Sequence, residues 1–400
     1  MKQKGVIYHN GYYRFSKLLK PVRYAVLLLL VIFTVVIFTA FSKDMTLNHF
    51  RYLLNNFDFS PNAGDTSGDT MYYDGDADAT FGFVSGGLVT LTDTRVFVTD
   101  RSSSTTLSLY HGYRQPTGAF SDKYMLLYDR KGSVAGVYNA FSLLKTFTYD
   151  GTVLSAACAD NGYFATVVAD VDRYYTKVYV YDENFNLVRE VSKYKYVTEI
   201  AFTPDGKELL IGSRYTENGK TAYEVMLLDI QEGKATFTLS LEGASMRLFA
   251  LDDGFWLMDA TSLSLYDYEG ERITKTAFSK TPHKSVLLES GAALVTSDAD
   301  SRNETLTYLA KTGEYTAKLP SRYVTAEEDR DYLYLVCERD ICLLDKKSGA
   351  FYTVTESLTT DSVLTLVKNK DAVYLARTYR ADRLYGARLV ENIGKNAALT

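Results

Sequence analysis

Cysteine, histidine, proline and tryptophan are all scarce in this 400-residue chain, at 3, 4, 6 and 1 copies. Each scarcity closes off a class of protein. Three cysteines cannot build a disulfide scaffold, and so few histidines beside them leave little material for a zinc cluster. His9, His49, His111 and His283 are scattered, with no two at ligand spacing, which argues against a histidine metal site or a Ser-His-Asp triad. There is no G-x-S-x-G elbow, Walker loop or H-E-x-x-H. Six prolines and 26 glycines are too few for long disordered linkers, so the chain is mostly folded. Positive charge is also lacking: the formal net charge is -5 and the pI about 5.6. That balance disfavours a sequence-independent nucleic-acid binder held by counterion release.

What cations there are cluster at one end. Residues 1–23 carry Lys2, Lys4, Arg14, Lys17, Lys20 and Arg23 and no acid, and they run into the apolar stretch AVLLLLVIFTVVIFTAF, Ala25–Phe41. Some 17 apolar residues, extended by Tyr24 at the interface, are enough to cross a hydrocarbon core about 30 Å thick. The expectation is a basic cytoplasmic tail (1–23), one transmembrane helix (24–41) and everything after it outside the cytoplasm, because cations mark the cytoplasmic flank. Ala40-Phe41-Ser42 also fits the small-x-small pattern of a cleaved signal peptide, but both the basic region and the apolar run are longer than such signals use. Setting aside the six cations leaves 38 basic against 49 acidic residues, a net of about -11 for the outer part. Met45–Phe57 puts Leu47, Phe50, Leu54 and Phe57 on one helical stripe, and 60–79 is rich in Gly, Asp, Ser and Thr. Residues 42–80 therefore read as a juxtamembrane helix and acidic linker.

Tyrosine, at 33 copies beside 21 phenylalanines, points to strands. From Phe81 the pattern has period two, and it repeats. Apolar runs recur at 87–91, 124–128, 163–168, 208–212, 254–258, 291–295, 332–336 and 372–376, a mean step of about 41 residues, in the range of propeller repeats. Most are trailed by a second run ending in an acid, such as RVFVTD (95–100), VYVYD (178–182), VMLLD (225–229), LSLYD (263–267) and ICLLD (341–345). A sandwich would show no such super-period, and serial Ig-like domains would show linkers. The predicted fold is all-β: a seven- or eight-bladed β-propeller over 81–394, preceded by the single N-terminal transmembrane helix, with a tail at 395–400. A lone four-stranded sheet cannot bury both faces, whereas sheets packed radially can.

Ala201–Ser213, AFTPDGKELLIGS, resembles the F-[ST]-P-D-G turn and following strand of WD40-like propellers. Asp345–Gly349, DKKSG, resembles the repeat turn of quinoprotein-like propellers, and Asp229, Gly233, Lys234 and Phe237 match it in part. The docking tryptophans of that family are missing, since the chain has only Trp256. The whole layout of basic tail, anchor, MTLNHFRYL helix and Tyr-rich repeats resembles a domain-of-unknown-function family of membrane-anchored β-propellers in Gram-positive bacteria. That resemblance implies the fold and carries no activity, because the family is functionally uncharacterised.

Candidate sites are few. Asp74, Asp76 and Asp78 begin like an EF-hand calcium loop, although Ala79 and Ser85 stand where its Gly and Glu belong. They are the leading calcium candidates, ahead of Asp170 with Asp172 and Asp298 with Asp300; no other cofactor is implied. Cys337 and Cys342 would face each other if Arg339-Asp340 were a two-residue turn, leaving a cross-strand disulfide open beside the reading of two small buried residues. Cys158 reads as core. Leu251–Trp256 has a distant likeness to the Asp box of sialidases, but with Ala250 in place of Ser or Thr it reads as a hairpin with a packed aromatic. The strand tyrosines read mainly as inter-blade packing, with a carbohydrate platform as the alternative. Lys193 and Lys195, interleaved with Tyr194 and Tyr196, are too few for a nucleic-acid patch and read as a solvated strand edge. The sum is a single-pass, extracytoplasmic binding or scaffolding module at the cell envelope with a protein or glycan partner. The alternative is a glycan-acting hydrolase or lyase using carboxylates on one face of the ring.

Overall fold

The computed structural model describes residues 22–33, 35 and 70–397, apart from 77, 170–174, 244–245, 298–303, 312 and 355–362. Two compact units divide the chain, Met1–Phe59 and Ser60–Thr400. In the first, residues 22–33 are helical, and every side chain from Val26 to Phe33 is between 50% and 66% exposed. Among the described residues no helix is long and apolar enough to cross a membrane. The expected span continues to residue 41, beyond the described part, as does the juxtamembrane stripe Met45–Phe57.

The second unit is an eight-bladed β-propeller: eight sheets of four antiparallel strands. The innermost strands of blades 1 to 8 are Thr80–Val84, Pro116–Phe120, Thr152–Cys158, Tyr196–Phe202, Met246–Leu251, Lys284–Leu288, Tyr323–Glu328 and Val363–Asn369. Each contacts the innermost strand of both neighbours, and the last returns to the first, so the ring is closed. All eight apolar runs found in the sequence fall on the second strands. These strands are buried on both faces, as in Gly87–Leu91, where all five residues are inaccessible. Their period of two distributes side chains between two interfaces: Leu333, Leu335 and Cys337 pack toward blade 6, Tyr334 and Val336 toward blade 8. Outer strands are polar, as in the fully exposed Arg272–Ala277, which keeps their open edges from pairing with other chains.

The acids that end the third strands have a local cause. Asp100, Asp182, Asp229, Asp267 and Asp345 each accept backbone N–H groups of the following turn, for example Lys347 N at 2.8 Å and Ser348 N at 3.1 Å on Asp345. Hydrogen bonds from the Ser348 and Lys347 amides hold the Asp345 carboxyl below its ordinary range. In the likewise matched turn of blade 4, Gly206 at φ 68° donates to Thr203 O at 2.8 Å, a left-handed geometry that favours glycine.

Two boundaries differ from the sequence expectation. The ring starts at Thr70, within the expected linker: Thr70–Tyr72 pairs with Arg380–Leu384 and is the outer strand of blade 8. Met71 is wholly buried there, and the Tyr73 hydroxyl donates to the carbonyls of Arg377 and Arg380. At the other end the last strand stops at Leu384, and a helix, Gly386–Ala397, follows, with Leu389 packed against the interface of blades 7 and 8.

Because strand direction alternates, the connections sort onto two faces. The turns between strands 1 and 2 and between 3 and 4 lie on one, here the turn face. The 2–3 turns and the links from each fourth strand to the next blade lie on the other, the crossover face. Thr70 and Leu384, the first and last ring residues, both sit at the turn face.

Candidate functional site

The two faces differ in chemistry. Of the described tyrosines in the ring, six are exposed: Tyr72, Tyr110, Tyr175, Tyr194, Tyr196 and Tyr379, at 47% to 72%. All six lie on the crossover face, at the ends of fourth strands, the starts of first strands or the 2–3 turns. The strand tyrosines Tyr179, Tyr181, Tyr266, Tyr332 and Tyr334 are half-buried or buried, as expected of inter-blade packing. Tyr110, His111 and Tyr113 form one aromatic stack, with ring centroids 6.4 and 5.0 Å apart. His111 is fixed in it, its Nδ1 accepting from the Tyr113 amide and its Nε2 lying 2.9 Å from Thr92 O, which sets the Nε2–H tautomer.

A second aromatic group surrounds a groove of about 490 Å³ between blades 3 and 4. Its wall is the 2–3 hairpin of blade 4, Glu208–Glu217 and Lys220–Asp229, with ten residues per strand where the second strands of other blades have five to seven. Asn218 and Gly219, at φ 50° and 75°, close it as the two left-handed positions of a type I′ turn. Tyr175 and Tyr196 stack with centroids 4.8 Å apart, and the Lys195 ammonium lies 4.1 Å over the Tyr215 ring. The backbone holds them: Tyr175 N donates to Lys193 O, and Thr176 Oγ1 to Lys195 O at 2.8 Å. Glu224 takes both Lys193 and Lys195. Against the desolvation that its part-burial imposes, hydrogen bonds from these lysines hold its carboxyl below the ordinary range. The lysines expected at a solvated strand edge thus clamp one carboxylate, and the tyrosines between them face solvent.

The turn face instead carries a mixed-charge depression of about 870 Å³ spanning blades 4 to 8. Glu328, with its side chain 2% exposed, is its centre. It accepts from Ser290 N at 2.8 Å, Ser290 Oγ, Tyr308 Oη at 3.1 Å and Lys346 Nζ at 3.2 Å. Other carboxylates there are also engaged: Glu289 with Lys368 at 2.8 Å, Asp253 with Lys311 at 3.5 Å, and Asp329 with Tyr334 and the amides of Asp331 and Tyr332. Burial pushes the neighbouring Glu327 carboxyl above its ordinary value.

The sequence candidates fare differently. Asp74, Asp76 and Asp78 are exposed in the link from blade 8 to blade 1, and among the described residues no three or more His, Cys, Asp or Glu gather where they could hold a metal ion. Asp170, Asp172, Asp298, Asp300, His9 and His49 lie outside the described residues. His283 pairs with Glu304 at 3.1 Å, on a different blade from His111. Of the two readings left open for Cys337 and Cys342, the structure has two small buried residues with free thiols. The turn is Glu338-Arg339, with Cys337 N bonded to Asp340 O and Cys342 opposite Leu335, so the cysteines are diagonal rather than facing. The neighbouring Cys342 thiol, together with burial, raises the Cys337 thiol. Cys158 is free and half-buried, its thiol pushed up to about 12 by burial. Leu251–Trp256 is the expected hairpin, with Trp256 buried and its Nε1 donating to Glu289 O at 3.1 Å. The tyrosine face was missed because tyrosines were assigned by strand membership. The usable signal was their position at the strand ends that share a face.

Solved structures with similar folds agree with the ring. BamB from Moraxella catarrhalis aligns with a TM-score of 0.54 at 12% identity, over 79% of this chain and 98% of that one. The WD40 domain of SCAP from fission yeast aligns at 0.52 and 12% identity, over 78% and 95%. At these identities the likeness is one of fold. No curated protein matches the sequence. A family model does match, over residues 70–371, from the closing strand to the 1–2 turn of the last blade, and the chain belongs to that family of unknown function, DUF5711.

Proposed function

We propose that this chain is a binding module that engages a cell-envelope protein or glycan through its tyrosine-bearing crossover face, held at a membrane by the segment 24–41 with the ring outside the cytoplasm. One observation carries it: the exposed described tyrosines of the ring occupy one face and none the other. Tyrosine brings large contact area at low entropic cost with a hydroxyl that tolerates water, and a closed ring fixes the loops that bear it. The anchoring part is supported by the six cations before Ala25 and by a helix whose apolar side chains are exposed all round, a pattern that needs lipid or a core to cover it. A role without a chemical step is supported by the partners of Glu328, Glu289, Asp253 and Asp329, which engage these four carboxylates as ion pairs and turn caps.

The test compares two variants of the full chain. Tyr110→Ser, Tyr194→Ser and Tyr379→Ser together are expected to abolish crosslinking-dependent capture of the envelope partner, while Lys311→Ser with Arg330→Ser on the turn face leaves it intact. The reverse pattern refutes the assignment of the face. Reporter fusions at Lys20 and Asp65 should lie on opposite sides of the membrane, and a cytoplasmic Asp65 refutes the location. Cleavage of an envelope glycan, abolished by Glu328→Gln or Glu289→Gln in a protein that remains folded, would replace the binding reading with an enzymatic one.

A further inference from the structure

We propose that the groove between blades 3 and 4 binds an acidic saccharide, a chain of pyranose rings bearing carboxylates. This names a ligand class for one part of the crossover face and rests on the reading of that face as the binding surface. Tyr175, Tyr194, Tyr196 and Tyr215 line the groove together with Lys195, Arg214 and two threonines, and among the described residues no acid lines it. Lys193 and Lys195 share the carboxylate of Glu224, and with Arg214 they give the described residues here a local excess of positive charge on a chain of net charge -5. Arg214 is exposed on the hairpin wall.

The lining separates two requirements. The aromatic rings offer flat apolar faces with hydroxyl rims, suited to the axial C–H patches and equatorial hydroxyls of a pyranose. The Arg214 fork is suited to a carboxylate, which it can hold through two parallel N–H donors. A peptide anchored by its side chains would need a closed apolar pocket; here Tyr194 is 70% exposed, Tyr175 53% and Tyr196 47%, and the stacked pair Tyr175 and Tyr196 forms a surface. Lys195 has its ammonium on Glu224 and over the Tyr215 ring, so it orients the platform while Arg214 supplies the charge contact.

The experiment titrates the full chain with short oligogalacturonate, with neutral cello-oligosaccharide of matched length and with a polyglutamate peptide. Saturable binding of oligogalacturonate is expected, at least about tenfold tighter than the neutral sugar, the size of one charged hydrogen bond. Arg214→Ala should reduce the acidic sugar to the affinity of the neutral one, and Tyr196→Ala should weaken both; Lys311→Ser, on the opposite face of the ring, should change neither. No oligogalacturonate binding, equal affinity for the neutral sugar, tighter binding of polyglutamate, or binding untouched by Arg214→Ala and Tyr196→Ala overturns the proposal. If the sugars fail while the triple tyrosine variant still loses its envelope partner, the ligand class is wrong and the binding face stands. If the sugars bind and that variant still captures its partner, the saccharide site stands and the wider reading of the face falls.

Discussion

Replacing Met71 by alanine tests whether the closing strand stabilises the whole ring or only its own edge. Met71 is wholly inaccessible, packed with Tyr73, Phe81, Phe83 and Tyr374 between blades 8 and 1. A buried methionine cut back to alanine costs about 2–5 kcal/mol. With an unfolding entropy near 2.1 cal/mol/K per residue over roughly 320 residues, each kcal/mol moves the melting temperature by about 1.5 °C, so the expected drop is roughly 3–7 °C. The single tryptophan, Trp256, is buried in blade 5 and has no contact with the closing strand, so its fluorescence reports the ring as a whole. Deleting residues 70–73 removes in addition the buried Tyr73, its two carbonyl hydrogen bonds and the three strand pairs, and should lower the Trp256 transition further or broaden it. An unchanged Trp256 melt after both changes would mean that the closing strand frays by itself and that the ring does not depend on closure.

Glu328→Ala should destabilise the protein by about 3–5 kcal/mol in urea unfolding, because it strands a largely buried Lys346 along with Ser290 and Tyr308; a loss under 1 kcal/mol would refute the central role of this carboxylate. Glu327 has its folded pKa raised above the ordinary 4.5, so its favourable contribution is present at low pH and is lost as pH rises through the folded value. Glu327→Gln should therefore be more stable than the parent at pH 7, with the difference shrinking toward pH 4 and below; a variant less stable than the parent at pH 7 contradicts this. Denatured without reductant, the protein should titrate three thiols, and a count of one would restore the Cys337–Cys342 bridge.

The parts of the fold that were legible are those where one physical cause dominates several residues in a row. Second strands are covered on both faces, so each is a continuous apolar run, and eight of them at a steady interval reveal the blades. First strands are harder: Thr117 to Phe120 or Thr325 to Glu328 mixes small, polar and acidic residues, because an inner strand borders the axis as well as its neighbours. The closing strand has only three residues, and its partner Asp382 is 312 positions from Thr70, a separation that no local pattern encodes. The cysteine geometry turned on a one-residue shift of a turn, which moves the position opposite Cys337 from Cys342 to Asp340. For the site, acids at strand ends were visible and their capping role was not. The tyrosine face required knowing which connections share a side of the ring.

Closure by the N-terminal strand also sets how the molecule bears load. The strand begins at the turn face with Thr70 and ends at the crossover face with Tyr72, and its ladder bonds to Arg380–Asp382 lie across that direction. A pull on the chain ahead of Thr70, opposed by a ligand gripped on the crossover face, therefore runs along the strand and loads its pairs together in shear, where a pull across the strand would peel them one at a time. The Met71 side chain, seated between two blades, acts as a stop against sliding. Under the proposed anchoring and ligand binding, such tension is borne by the seam that closes the ring.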